Sequence, residues 1–135
     1  MERLTGVIFS DLGQASSFMA LDWVRDLLNR RLGYHPFPAT LNIRPAGAED
    51  ARVWRLVRTE HAGTPLTTAA DGHCGAKLYR VAIRGAADGV TVDGAVLVPE
   101  VDDYPKDKIE IVAPVRLKDY FQVNDGDQLT VEFLS

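Results

Sequence analysis

The sequence predicts a mainly β fold: one small barrel of about six or seven short strands carrying one main α-helix, with residues 1–135 forming a single domain. Three observations lead there. The second half alternates apolar and polar residues with the period of strands. One stretch alone, Phe18 to Leu28, shows a long helical period. No repeat, low-complexity tract or composition shift marks a boundary within 135 residues.

Leu4, Val7, Ile8 and Phe9 form a β-branched, apolar run cut off by Ser10-Asp11-Leu12-Gly13, which reads as a strand entering a turn. Phe18, Leu21, Val24, Leu27 and Leu28 then share one helix face, opposite Asp22, Arg25, Asp26 and Asn29. Ser16 or Ser17 caps that helix and Gly33 stops it. Pro36 and Pro38 keep the following chain extended, and Thr40 to Ile43 reads as a short strand ending by Pro45. Val53, Leu56 and Val57 suit a short helix after Glu49 and Asp50, with Thr59 to Gly72 expected as an exposed excursion.

Lys77 to Ile83 alternates as a strand, and Val90-Thr91-Val92 and Ala95 to Val98 are expected as two more, separated by glycine-containing turns. Lys108 to Val112 and Leu129 to Leu134 complete the strands. Leu117 to Phe121 suits a single helical turn, and Asn124-Asp125-Gly126-Asp127 is a turn signal.

Fifteen Lys and Arg against nineteen Asp and Glu give a net charge of -4, and no basic patch stands out, so no nucleic-acid partner is expected. Arg30-Arg31 falls late in the helix, where cations complement the dipole. Cys74 is the sole cysteine, which fits a reducing compartment, and no apolar run approaches a signal or a span; a cytoplasmic location with no membrane partner is expected, while the oligomeric state is left open with a monomer favoured. His61, His73 and Cys74 follow no common zinc spacing, and no serine sits in a nucleophile elbow.

Three constellations carry chemistry. Strand, glycine-containing loop and helix follow one another across Phe9, Ser10 to Ser17 and Phe18, and a loop entering a helix N-terminus can hold phosphate on its free N–H groups; plain capping is the other reading. In Thr40-Leu41-Asn42, alternation puts the Thr40 hydroxyl and the Asn42 amide oxygen on one strand face. Two neutral oxygens suit a magnesium that already carries phosphate and water, though such residues also serve to bond neighbouring backbone. Third, Glu110 interrupts Ile109, Ile111 and Val112, so its carboxylate must face solvent, a partner or a ligand, and Asp102-Asp103 upstream reads as a solvated loop.

Taken in order, these segments resemble the CTP-dependent riboflavin kinases typical of archaea, from about Gly6 to Phe133. The matching pieces are Gly6-Val7, Leu12-Gly13, Phe18, Leu32-Gly33-Tyr34, Pro36-Phe37-Pro38, Thr40-Leu41-Asn42, Gly94-Ala95, Val98-Pro99-Glu100, Tyr104-Pro105, Ile109 to Leu117, and Asp125-Gly126-Asp127. The resemblance implies a six-stranded cradle-loop barrel that transfers the γ-phosphoryl group of CTP to the 5′-hydroxyl of riboflavin, giving FMN and CDP. It also implies roles. Leu12, Gly13, Gln14, Ala15, Ser16 and Ser17 would wrap the nucleotide phosphates, and Val115, Arg116, Leu117 and Lys118 would line the nucleotide. Thr40 and Asn42 would bind Mg2+, and Asp102 and Glu110 would meet the flavin; no catalytic base is assigned.

The chain departs from that pattern at Asp11 and Ala15, where glycines are expected, at Gln14, where an acidic residue is expected, at Ser16, where a basic one is, and at Asp102, where a threonine is. Two alternatives therefore stay open: a flavin- or nucleotide-binding module without catalysis, and a small-molecule kinase with another donor or acceptor on the same barrel.

Overall fold

In the computed structural model, described over residues 2–10, 22–66, 76–85, 89–100 and 104–134, seven strands and three helices follow one another. The strands are β1 (Arg3–Phe9), β2 (Leu41–Pro45), β3 (Thr64–Leu66), β4 (Ala76–Arg84), β5 (Thr91–Pro99), β6 (Ile109–Val112) and β7 (Gln128–Phe133). The helices are α1 (Asp22–Leu32), α2 (Ala48–Glu60) and α3 (Leu117–Phe121). All strand pairings are antiparallel, in the order β4-β5-β6-β2-β1-β7, and β7 returns to β4 to close a six-stranded barrel. The extra strand, β3, shares an edge of β4 with β7: Leu78 to Ala76 face β3, and Val81 to Arg84 face β7.

Alternation sorts the side chains into two layers. Leu4, Ile8, Leu41, Ile43, Val81, Ile83, Val96, Ile109, Ile111 and Val131 fill the barrel interior. The residues between them on β4, β5 and β6, including Leu78, Ala95, Leu97 and Val112, face outward beneath Val24, Leu28 and Leu32 of α1. Helix α1 ends as the sequence indicates. Gly33 takes φ 82 and donates its N–H to the Asn29 carbonyl at 2.8 Å. The residues Phe18 to Leu21, and the proposed caps Ser16 and Ser17, lie outside the described residues.

Three expectations need correction. The short helix around Val53 runs through thirteen residues, Ala48–Glu60, because Trp54 joins Val53 and Val57 on its buried face. That face closes one end of the barrel: Trp54 stacks on Phe133 with ring centroids 6.1 Å apart, and its indole N–H donates to the Lys106 carbonyl at 2.9 Å. Thr59 therefore belongs to a helix, and Thr64–Leu66 to a strand; of the expected excursion, residues 67–72 lie outside the described residues.

Gly94, read as a turn, sits instead inside the continuous strand β5. A Cβ there would lie 2.6 Å from Ile83 Cδ1 and 2.6 Å from the Val112 carbonyl oxygen. The glycine marks a close approach of neighbouring strands, not a chain reversal.

Candidate functional site

Site chemistry begins with the alternation of β2. Leu41 and Ile43 point into the barrel, so Asn42, and Thr40 just before the strand, lie on the outer face. Asn42 is 7% exposed. Its Oδ1 and the Thr40 Oγ1 are both buried, and neither has a hydrogen-bond partner among the described residues. A buried oxygen left without a partner costs roughly 1–3 kcal/mol, so two on one face call for an explanation. Neutral oxygens arranged this way fit a hard divalent cation that keeps water or phosphate as its other ligands. Among the described residues no cluster of His, Cys, Asp or Glu offers another metal site.

Thr40 also lines a cleft of about 120 Å³ together with Phe37, Ala113, Val115, Arg116, Leu117 and Lys118. Its wall is held in place by the Phe37 N–H, which donates to the Ala113 carbonyl at 2.7 Å. The cleft thus brings Val115 to Lys118 to the same place as the outer-face hydroxyl of Thr40. At its edge Lys118 Nζ donates to Ser10 Oγ at 3.3 Å and pairs with Asp125 Oδ1 at 3.0 Å. A hydrogen bond from Ser10 first, and the Lys118 contact second, hold the Asp125 carboxyl below the usual carboxylate range. The adjoining turn is fixed to β1: the Gly126 N–H donates to the Ile8 carbonyl and the Ile8 N–H to the Asp127 carbonyl, each at 2.8 Å. The chain therefore leaves β1 for the segment 11–17 beside an ammonium group.

Glu110 faces outward from β6, opposite Asn42 of β2 on one side and Leu97 of β5 on the other. It does not reach solvent. It is 4% exposed, and its Oε1 lies 3.2 Å from Nζ of the equally buried Lys108. Lys108 also stands 5.6 Å from the ring centroid of Tyr104. Sequence reasoning missed this lysine, although the signal was present: opposite charges two residues apart on a strand share a face. Thr40, Asn42, Glu110 and Val115 to Lys118 are brought together on neighbouring elements. Leu12 to Ser17 and Asp102 lie outside the described residues. Among the described residues no helix is long and apolar enough to cross a membrane.

The class the geometry defines is a closed six-stranded antiparallel β-barrel with a candidate site on its outer face. The family model for CTP-dependent riboflavin kinases, described as a domain of unknown function, DUF120, matches residues 8–133. Riboflavin kinases of Pyrobaculum aerophilum and Pyrobaculum arsenaticum are 35% and 36% identical to the chain, each over 98% of it and 60% of the relative. The riboflavin kinase of Methanosarcina mazei is 31% identical over 96% of the chain and 56% of its own length. The chain belongs to the CTP-dependent riboflavin kinase family. It spans about three fifths of the length of these curated relatives.

Proposed function

We propose that this chain phosphorylates riboflavin, moving the γ-phosphoryl group of CTP to the flavin 5′-hydroxyl with magnesium bound at Thr40 and Asn42. The observation that carries the reading is the pair of buried oxygens without partners among the described residues, Thr40 Oγ1 and Asn42 Oδ1, with Thr40 lining a cleft shared with Val115 to Lys118. In the reaction the flavin oxygen forms a bond to the γ-phosphorus, the bond from that phosphorus to the β-phosphate oxygen breaks, and the hydroxyl proton is lost. Magnesium, when bound, neutralises phosphate charge and aligns the oxygens being exchanged.

The remaining work falls to positioning, as is general for phosphoryl transfer. Val115 to Lys118 line the nucleotide, with the Lys118 ammonium at the head of the segment 11–17. Leu12 to Ser17 wrap the phosphates, and Lys118 offsets part of the negative charge that Asp11 adds there. Glu110, across the strand pair from Asn42, accepts a hydrogen bond from the flavin, and the family pattern assigns Asp102 to the same substrate. Donor and acceptor thus meet along the β2–β6 pair.

The test is to incubate purified protein with riboflavin, magnesium and each nucleoside triphosphate in turn, separating flavins by chromatography. FMN is expected with CTP. Absence of FMN with every nucleotide overturns the reading. Quenching of riboflavin fluorescence without turnover instead assigns the chain a binding role.

A further inference from the structure

A buried Lys–Glu pair is a poor stabiliser, because desolvating two charges offsets most of their attraction, and apolar residues of similar size would often serve as well. Lys108, just before β6, and Glu110, on its outer face, nevertheless form one, with side chains 8% and 5% exposed and the charged atoms 3.2 Å apart. Glu110 sits directly opposite Asn42, whose Oδ1 is buried with no hydrogen-bond partner among the described residues. Leu97 flanks it from the other side, and the Tyr104 ring lies near the ammonium. A glutamate side chain has several rotatable bonds, and on an otherwise apolar strand little besides Lys108 fixes where its carboxylate ends. Orientation, not stability, is what such a contact supplies.

We infer that Lys108 is a positioning residue for the acceptor half of the site: it fixes the Glu110 carboxylate so that the flavin's hydrogen-bond donors meet it in one orientation. The inference rests on the proposed riboflavin kinase reading and adds to it a residue that acts through Glu110 and touches no substrate. Three consequences separate this role from a packing role. Loss of Lys108 weakens riboflavin and leaves the nucleotide untouched, since neither Lys108 nor Glu110 lines the cleft of Val115 to Lys118. Arginine, which keeps the charge and can still grip a carboxylate, restores much of the effect. The Lys108 substitution has no further effect once Glu110 can no longer hold a charge.

The experiment is a double-mutant cycle on the purified full chain with Lys108→Met, Glu110→Gln, the double variant and Lys108→Arg, following riboflavin affinity by fluorescence quenching, KM for riboflavin and for CTP, and thermal melting. Lys108→Met is expected to weaken riboflavin about tenfold with KM for CTP within about twofold. Within the Glu110→Gln background the same change is expected to do nothing. Because Lys108→Met alone strands a buried carboxylate, the double variant, which strands none, keeps the cycle readable if that single variant melts early: it should match Glu110→Gln in affinity. A double variant that binds riboflavin more weakly than Glu110→Gln overturns the inference, as does a folded Lys108→Met protein with wild-type affinity. A wild-type chain that neither binds nor phosphorylates riboflavin overturns the functional reading, and the inference with it.

Discussion

The two sides of the barrel wall obey different rules. Inside, Leu41, Ile43, Ile109 and Ile111 are packed apolar residues, and nothing on that side of β2 or β6 asks for a partner. Outside, the same two strands carry Asn42 and Glu110, the latter paired with Lys108 just before β6, and Thr40 and Tyr34 keep buried oxygens without hydrogen bonds among the described residues. A strand is thus made to hold up the fold with one face and to leave chemistry unfinished with the other. Substitutions on the two faces should be separable by what they damage.

The largest effect is expected inside. Ile43→Ala, at a fully buried position against Gly6, should cost about 2–5 kcal/mol, read as a lower midpoint in urea unfolding. Any FMN formation that survives should fall only with the folded fraction. Next is its outer neighbour. Asn42→Leu should reduce FMN formation by about two orders of magnitude and abolish the rise in melting temperature that magnesium with CTP gives the wild type. Without ligands its stability should stay the same or rise by about 1 kcal/mol, because a partnerless buried carbonyl is gone. If Asn42→Leu instead unfolds the protein while activity per folded molecule persists, the division between faces is wrong.

Gly94→Ala probes where the inside is narrowest. The added methyl has no room against the Val112 carbonyl, a backbone atom that cannot rotate away, and a loss of about 1–3 kcal/mol is expected in the same unfolding assay. The smallest effect belongs to Tyr34, whose hydroxyl burial pushes its pKa up to about 12, with Arg80 pulling the other way. The folded state holds that proton more tightly than the unfolded chain, so the contribution is complete below pH 10 and is lost as pH rises towards 12. Tyr34→Phe should therefore leave stability near neutrality almost unchanged and flatten its decline on the alkaline side, as followed by melting temperature against pH.

How much of this was legible in the sequence follows the same division. Strands whose inner residues alternate cleanly, such as β1, β4 and β7, could be placed within a residue or two, because burial of one face dictates the period. The Thr40 and Asn42 pairing on one face was legible for the same reason. What failed was local chemistry overruled by distant contacts. Gly94 looks like a turn until β6 is brought against it, and β3 is too short and too proline-marked to register as a strand. In α2 the contribution of Trp54 appears only once Phe133, far along the chain, supplies a surface to stack on. The outward Glu110 was seen as an anomaly, but that its partner is Lys108, and that both are shielded from water, depends on neighbouring strands and on Tyr104.

The shared edge of β4 has a consequence for how copies of this chain behave together. A barrel strand that outruns its neighbour leaves unpaired N–H and C=O groups along the surplus, an invitation for another molecule to add a strand there. At Leu78 to Ala76 that surplus is taken by β3, which is three residues long and carries Pro65 at its centre, a residue with no N–H to offer. The extra strand is in this sense a bandage on a stretch of β4 that β7 does not cover, and it keeps its own outer edge unattractive.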